Sequence, residues 1–151
     1  MRAVVQRVRK ARVSVGAETV AEIGAGLCVL LGVAQEDDDA TAERLAGKVA
    51  RLRIFENEEG KFDRSLLDTN GEALVVSQFI LIADSRRQRG TRPDFSHAAR
   101  PEVAEPLYER FCAELRNLGM PVETGVFGAR MVVEIVNDGP VTIILDTGTF
   151  P

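Results

Sequence analysis

The sequence is poor in the residues that most often carry hydrolytic or metal chemistry. Its 151 residues include one histidine, two cysteines, one tyrosine and no tryptophan. A serine hydrolase needs a base within hydrogen-bond reach of its nucleophile, and His97 is the one candidate. We expect His97 to lie at the surface or at a helix start. No Gly-X-Ser-X-Gly elbow is present and no residues have metal-ligand spacing, so neither a metal nor another cofactor is expected.

The cysteines and the apolar runs narrow the class of protein further. Cys28 and Cys112 lack paired spacing, so we expect two buried free thiols rather than a disulfide framework. No apolar stretch approaches the roughly 20 residues of a membrane helix. The first residues lose their apolar character too early for a signal peptide. We therefore expect a cytoplasmic protein with no membrane partner.

Length and charge bound the number of domains and the kind of partner. With 45% hydrophobic and 28% charged residues, the chain is expected to form one globular domain, residues 1–151. The net charge of −4 argues mildly against a nucleic-acid partner. Two basic clusters weaken that argument, because a local patch can hold a phosphate backbone. The clusters are Arg2, Arg7, Arg9, Lys10 and Arg12, and Arg86, Arg87, Arg89 and Arg92.

Hydrophobic periodicity predicts many strands and two main helices. The helices are expected over Ala40–Arg53 and Glu102–Leu118. Because an interior proline removes a hydrogen bond, Pro106 predicts a distorted first turn or a start near Glu105. The predicted strands are Arg2–Arg9 continued by Ala11–Val15, Thr19–Ile23, Leu27–Val33, Ile54–Phe55, Ala73–Ile82, Val122–Val126, Arg130–Val136 and Val141–Leu145.

The segment Asn137–Thr142, with the sequence Asn-Asp-Gly-Pro-Val-Thr, lies between two apolar runs. Proline cannot donate to a strand ladder, so it belongs at a strand's first residue, an edge or a bulge. One interpretation is a hairpin turn, for which these residues are ordinary. The alternative is a rigid corner, in which Gly139 and Pro140 aim two backbone carbonyls at one point. An X-Pro bond is also where a cis peptide costs least, about 0.5–1 kcal/mol.

A second motif, Ser77–Leu81, reads Ser-Gln-Phe-Ile-Leu and favours the functional interpretation. Together the two segments resemble the motif pair of the D-aminoacyl-tRNA deacylases, Ser-Gln-Phe-Thr-Leu and Asn-X-Gly-Pro-Val-Thr. Those small editing enzymes hydrolyse the ester between a D-amino acid and tRNA. Further matching stretches are Val5–Val8, Gly24–Leu27, Leu30–Val33 and Thr124–Phe127, so the resemblance runs nearly from end to end.

The resemblance implies a fold, a partner and an assembly. The fold would be a mixed α/β domain whose strands curl into a barrel-like sheet with two main helices packed outside. The partner would be the acceptor end of an aminoacyl-tRNA. Active sites would lie at the interface of a homodimer, because the Gly-Pro corner of one subunit completes the site of the other. Glycine mischarged on tRNA(Ala) would also be removed, since a filter against side chains cannot reject it.

Ile80 departs from the family pattern, which usually has threonine at this position. The threonine hydroxyl would be a candidate nucleophile, so either this chain is inactive or the chemistry never needed that hydroxyl. Backbone N–H groups around Phe79 and Ile80 could instead stabilise the developing oxyanion, while the neighbouring ribose hydroxyl of the tRNA assists. Ser77 and Gln78 are expected to shape the pocket. Phe79 is expected either to pack on the substrate's adenosine or to fill the core.

The Gly-Pro corner is expected to read chirality by exclusion. If the carbonyls of Gly139 and Pro140, across a cis bond, crowd one side of the substrate's α-carbon, an L side chain clashes there. Arg7 aligns with a residue expected to fix that corner by hydrogen bonding, although a surface strand arginine is the alternative. The other supporting residues are Asn137 and Thr142, in the motif itself, and Met131, which could flank an adenine or fill the core.

Two other functions stay open from the sequence. Ile80 and the arginine clusters are compatible with a non-catalytic nucleic-acid-binding homodimer that keeps the fold without the activity. A second alternative is a small hydrolase that uses Ser77 as its nucleophile on an ester or amide. Loss of turnover in a Ser77→Ala variant would distinguish that hydrolase from an enzyme that relies on backbone donors.

Overall fold

The structure, a computed structural model, describes residues 1–84, 86 and 88–148. Arg87 of the second arginine cluster and the last three residues of the expected domain lie outside the described residues. The elements are β1 (Arg2–Val15), β2 (Glu18–Ile23), β3 (Gly26–Gly32), α1 (Asp39–Arg51), β4 (Phe55–Glu56), β5 (Phe62–Arg64), α2 (Leu66–Thr69), β6 (Glu72–Ser77), a 3-10 turn (Phe79–Ile82), α3 (Pro101–Asn117), β7 (Val122–Thr124) and β8 (Val132–Asp146).

Six of the strands form one mixed sheet around the long strand β1. One edge of β1 pairs antiparallel with β3 along its first half and with β2 along its second half, while the other edge pairs with β8. β3 then pairs in parallel with β6, and β6 with β7. The sheet curls until it is nearly closed, because twisted strands of this length coil when one face is buried. The expected mixed α/β, barrel-like fold is confirmed.

The curled sheet separates two hydrophobic cores. The larger core lies between the sheet and the helices, and it includes Phe111 and Leu115 of α3 and Leu45 of α1. The smaller core lies inside the curl, where Val8 and Val13 of β1 meet residues of β2, β3 and β6. Strand β3 is buried on both faces, as its unbroken apolar sequence predicts.

In the part of the chain that the structure describes, the two main helices expected, α1 and α3, pack outside the sheet with one short additional helix. α1 begins after Asp38, whose carboxylate accepts the backbone N–H of Thr41 as an N-cap. The extra helix, α2, is a single turn stabilised by a capping box between Ser65 and Asp68. Such a box was visible in the sequence, but no apolar periodicity accompanies so short a helix.

Helix α3 does not start near Glu105, and Pro106 lies within it. α3 begins at Pro101, a position that suits proline because the first N–H of a helix has no partner within the helix. It continues through Pro106 to Asn117 rather than starting near Glu105. The carbonyl of Glu102, which would have accepted an N–H at Pro106, lies on the exposed side of the helix. Water can satisfy it there, which lowers the cost of an interior proline.

Two strand boundaries differ from expectation in a way that matters for the site. β6 ends at Ser77, and Phe79–Ile82 form a 3-10 turn rather than more strand. β8 runs without a break through Gly139 and Pro140, and both of its halves pair with β1 rather than with each other. The hairpin-turn interpretation is therefore wrong.

Candidate active site

A cavity of about 760 Å³ opens where β6 ends. Its volume lies in the range of small-molecule sites, and its walls are mostly apolar, as is usual for such sites. β6, the 3-10 turn, the start of α3 and the first half of β8 all contribute. The lining residues are Leu30, Val33, Val76, Ser77, Gln78, Phe79, Ile80, Ala99, Pro101, Ala104, Phe127, Gly128, Ala129, Met131, Val133 and Ile135.

The 3-10 turn is held against β3 at the mouth of this cavity. The backbone N–H of Gln78 donates to the carbonyl of Leu31 at 2.8 Å. Gly32 provides the space, because a Cβ there would lie 3.0 Å from Leu81 Cβ and 3.1 Å from the Gln78 carbonyl oxygen. The turn can approach β3 this closely only where the strand has no side chain, and Ser77 and Gln78 line the cavity beside it.

Phe79 and Ile80 leave their side chains exposed at the cavity, with 57% and 46% of their surface accessible. The ring of Phe79 packs edge-to-face on Phe95, with 5.3 Å between ring centroids. Phe79 therefore does not fill the core. The backbone N–H groups of Phe79 and Ile80 open the 3-10 turn, where a helical N–H has no acceptor within the helix.

The opposite wall of the cavity includes Met131, at the approach to β8. A Cβ on Gly125 would lie 2.7 Å from the sulfur of Met131, so the glycine makes room for that side chain. Met131 is half-buried against the inner core and also lines the cavity. Phe127 and Ala104 complete this side, and the sequence did not single them out as site residues. Only their place in the tertiary structure brings them to the cavity.

β8 carries a wide bulge opposite Arg7. The pairs Gln6–Thr142 and Val8–Asn137 are in register with β1, so the single residue Arg7 faces Asp138–Val141, which we call the bulge. The peptide bond between Gly139 and Pro140 is cis, and Gly139 has a φ of +138°. Proline is tolerated within this strand because bulge residues do not contribute to the ladder.

Asn137 closes the bulge with its side chain. Its Oδ1 accepts the backbone N–H of Val141 at 2.7 Å, and its Nδ2 donates to the carbonyl of Val141 at 3.1 Å. Nδ2 also donates to the hydroxyl of Thr142 at 3.2 Å. The two motif residues thus hold the ends of the bulge together, and the carbonyls of Gly139 and Pro140 lie in its exposed part.

Arg7 holds the bulge from the β1 side. Only 7% of its surface is accessible, so it is not a surface arginine. Its Nε donates to the carbonyl of Asp138 at 3.0 Å, and its Nη1 donates to the carbonyl of Ile54 at 2.8 Å. Both partners are main-chain atoms. Charge-assisted bonds of this kind are stronger than neutral ones and fix the orientation of both groups.

Family membership follows from the sequence taken with this geometry. Residues 4–146 match the family model described as D-Tyr-tRNA(Tyr) deacylase. The chain belongs to the D-Tyr-tRNA(Tyr) deacylase family.

Relatives of this deacylase family cover the chain almost completely. A protein of Roseiflexus sp. strain RS-1 is 61% identical over 150 residues, which are 99% of this chain and 96% of that protein. A protein of Symbiobacterium thermophilum is 60% identical over 147 residues, 97% of this chain and 96% of its own length. One of Thermus aquaticus is 55% identical over 151 residues, with 100% and 98% covered. All three are named D-aminoacyl-tRNA deacylase.

Two solved structures share the fold. A c-Myc DNA unwinding element binding protein superimposes with a TM-score of 0.91 at 45% identity, covering 99% of this chain and 100% of that one. A probable eukaryotic D-amino acid tRNA deacylase superimposes with a TM-score of 0.80, covering 95% and 97%. The second shares 19% identity, so it supports the fold alone.

His97 and Ser77 line different cavities in this deacylase-family chain. His97 lines a cavity of about 330 Å³, where its Nε2 lies 3.8 Å from Oδ2 of Asp84. The backbone N–H of Arg86 holds the pKa of Asp84 below its usual range. The expectation of a surface histidine agrees with its exposure of 41%. Within residues 1–84, 86 and 88–148, no three His, Cys, Asp or Glu side chains could hold a metal ion, and no helix is long and apolar enough to cross a membrane.

Proposed function

We propose that this chain hydrolyses the ester bond of D-aminoacyl-tRNA and releases the free amino acid and tRNA. The observation that carries the proposal is an open apolar cavity whose mouth holds the Ser77–Ile80 motif of a deacylase family. A cavity of about 760 Å³ has room for a nucleoside with an attached amino acid. A charged phosphate backbone would remain outside, where exposed arginines can meet it.

In the proposed reaction, backbone N–H groups stabilise the negative charge that develops on the ester carbonyl oxygen. A water molecule adds to the ester carbonyl, and the N–H groups of Phe79 and Ile80 stabilise the resulting oxyanion. The ester C–O bond then breaks, and one proton of the water ends on the ribose oxygen. No side-chain hydroxyl takes part in these steps, so the Ile80 side chain does not interrupt them.

Discrimination between D- and L-substrates is assigned to the bulge. Arg7 binds the carbonyl of Asp138 and Asn137 binds the backbone of Val141, so the main chain is held on both sides of Gly139 and Pro140. The carbonyls between these anchors cannot rotate away from a ligand as a side chain would, so an L side chain that meets them is excluded. A glycyl ester has no side chain to exclude. We therefore include glycyl-tRNA, such as glycine mischarged on tRNA(Ala), among the substrates.

The bulge and the cavity are proposed to meet across a homodimer. Bulge residues Gly139 and Pro140 are exposed and do not line the cavity of their own chain. β8 pairs only with β1 in the described sheet, so its outer edge is free. Val132, Val136 and Ile144 of this strand expose 63%, 40% and 52% of their surfaces. An unpaired apolar strand is usually covered, and a second copy would bring its bulge to this cavity.

The test of the activity compares D-Tyr-tRNA and L-Tyr-tRNA in a deacylation assay with purified protein. We expect the D-ester to be cleaved on the order of 100-fold faster, the scale that steric exclusion by one pocket can supply. Equal release of both enantiomers would exclude the bulge as a chiral filter, and no release of either would exclude the activity.

Subunit complementation tests the shared site. An Ala129→Trp subunit has a filled cavity and an intact bulge. A Gly139→Ala subunit has an open cavity and a disturbed bulge. When the two variants are unfolded, mixed in equal amounts and refolded, half of the dimers should contain one subunit of each kind. Each such dimer has one site with an open cavity and an intact bulge, so the mixture should recover about a quarter of the wild-type activity that discriminates D- from L-substrates. A mixture no more active and selective than the average of its components would contradict a site shared between subunits.

A nucleic-acid-binding role is the second candidate. The protein of 45% identity named for binding a DNA unwinding element favours it. Titration with labelled duplex and single-stranded DNA at 150 mM salt, alongside the deacylation assay, separates the two functions. Binding without deacylation would favour the second candidate.

A further inference from the structure

The Arg7 guanidinium is also contacted by a hairpin that lies outside the main sheet. The hairpin comprises β4, β5 and their turn, residues Phe55–Arg64, and it forms a separate two-stranded sheet. Two strands alone are marginally stable. Contacts outside the two strands, including those with Arg7, therefore help to hold the hairpin in place.

Two side chains of the hairpin contact the guanidinium directly. The ring of Phe62 lies under it, with 5.7 Å between the guanidinium carbon and the ring centroid. Oε1 of Glu56 lies 3.6 Å from Nη2 of Arg7. Glu56 and Phe62 are paired across the two strands, so their side chains share one face of the hairpin. That face is turned to Arg7.

These contacts leave the guanidinium little freedom. Nε and Nη1 donate hydrogen bonds to the carbonyls of Asp138 and Ile54, Nη2 forms an ion pair with Glu56, and the guanidinium carbon lies over the Phe62 ring. A guanidinium is planar with its donors in a fixed fork, so two hydrogen bonds, an ion pair and a ring contact together restrict both its position and its tilt.

The position of the guanidinium is transmitted to the bulge by direct contact. A Cβ on Gly139 would lie 3.3 Å from Nη2 of Arg7, so the guanidinium packs against the glycine backbone. The same side chain binds the preceding carbonyl, that of Asp138. A change in the tilt of Arg7 would move both groups, and with them the carbonyls that face a ligand.

Hydrogen bonds within the hairpin and to the chain before it support the hairpin. Asn57 closes its turn, because its Oδ1 accepts the backbone N–H groups of Glu59 at 2.9 Å and Lys61 at 3.1 Å. Its own backbone N–H donates to the carbonyl of Lys61 at 2.8 Å. Arg53 binds the carbonyl of Asp63 at 2.7 Å and so ties the hairpin to the chain that leaves α1.

We infer that Phe62 and Glu56 are positioning residues, which set the discrimination between D- and L-substrates by fixing Arg7 against the bulge. This inference rests on the proposed function of the bulge as a chiral filter. It also accounts for Phe62, which leaves 53% of its surface exposed and contributes little to either core.

The test is the ratio of kcat/KM for D-Tyr-tRNA to that for L-Tyr-tRNA in the Phe62→Ala variant. We expect the ratio to fall about three- to fivefold, which corresponds to the energy of an exposed cation–π contact, and we expect Phe62→Tyr to restore it. Glu56→Gln should lower the ratio by a smaller factor. If Phe62→Ala does not fold, Glu56→Gln tests the same inference. Lys61→Ala is the matched control on the same hairpin and should keep the wild-type ratio.

A purely structural role would lower both rate constants together and leave their ratio unchanged, which would overturn the inference. A double-mutant cycle sharpens the test: in an Arg7→Ala background, Phe62→Ala should leave the ratio where it was, since no guanidinium remains to be positioned. If Phe62→Ala lowers the ratio in the Arg7→Ala background as much as it does in the wild type, Phe62 does not act through Arg7. If the wild-type ratio is close to one, the proposed filter itself fails; if Gly139→Ala lowers the ratio and Phe62→Ala does not, only this inference fails.

Discussion

The cavity and the bulge are built by opposite means. The cavity is formed by apolar side chains from β3, β6, α3 and β8, and few of its atoms can form a directed bond. The bulge is main chain held by directed bonds from Arg7 and Asn137, and the space around its tip is open. Apolar walls give a ligand room and affinity, whereas fixed carbonyls give shape selection. Substitutions should therefore affect rate at one region and selectivity at the other.

The largest effect should come from filling the cavity. Ala129→Trp places an indole where we expect the substrate, so kcat/KM for D-Tyr-tRNA should fall about 100-fold or more because the ester no longer reaches its donors. A single-turnover deacylation assay measures this. Ala17→Trp, in the exposed turn after β1, is the control and should retain activity. Activity in the filled variant would place the site elsewhere.

The next effect should appear at the bulge as a loss of selectivity. In Gly139→Ala the new Cβ would lie 2.8 Å from Cγ2 of Val141, at a φ of +138° that L-residues rarely adopt. Strain of about 1–3 kcal/mol must be relieved by moving the carbonyls, so the D-to-L ratio of kcat/KM should fall about tenfold or more.

Gly16→Ala provides the matched control for that variant. Gly16 also has a positive φ, of +59°, but nothing lies within 4 Å of its Cβ position. The control should lose some stability in a thermal melt and keep the wild-type selectivity. A parallel loss of selectivity in both variants would mean that general destabilisation, rather than the bulge, is being measured.

Small effects on activity are expected when a side-chain hydroxyl is removed at Ser77 or introduced at Ile80. Ser77→Ala and Ile80→Thr should each change kcat/KM for D-Tyr-tRNA by no more than about threefold, because the proposed mechanism draws on backbone N–H groups. Loss of activity in Ser77→Ala would favour the Ser77-dependent hydrolase. A large gain in Ile80→Thr would show that a hydroxyl at this position does contribute.

The smallest effect should come from thiol modification, since neither region contains a cysteine. Burial raises the pKa of Cys28 to about 12 and that of Cys112 to about 11. At pH 8 about one thiol in a thousand or fewer would be ionised, and only the thiolate reacts quickly. Iodoacetamide at pH 8 should leave the native protein unlabelled and fully active, while protein unfolded in urea takes up two labels. Rapid loss of activity in the native state would contradict this.

Several elements were predictable because their causes are local. Strand β3 was visible as an apolar run and α1 as an amphipathic pattern, and the resemblance implied the barrel-like fold. The end of β6 was not, since an apolar Phe-Ile-Leu-Ile run reads as strand until Gly32 admits a 3-10 turn beside it. The continuity of β8 was missed for a similar reason: β1, distant in sequence, holds both halves of it.

The site divides in the same way. The motifs pointed to Ser77–Ile80 and Gly139–Pro140, and Met131 was expected to flank an adenine or to fill the core; their roles in a site stay predictions. Phe62 and Glu56 were not found, because a short hairpin with a shifted register gives little sequence signal. Phe127 and Ala104 look like ordinary core residues in the sequence and reach the cavity only through packing.

The sequence by itself determined the family, the sheet-rich fold and the two motifs, because motifs and hydrophobic periodicity are patterns of residues close together in the chain. Only the tertiary structure decided that Arg7 is buried, that it binds the carbonyl of Asp138, and that a separate hairpin contacts it. The physical reason is that a guanidinium is oriented by the partners around it, and these come from segments about 50 and 130 residues away in the chain.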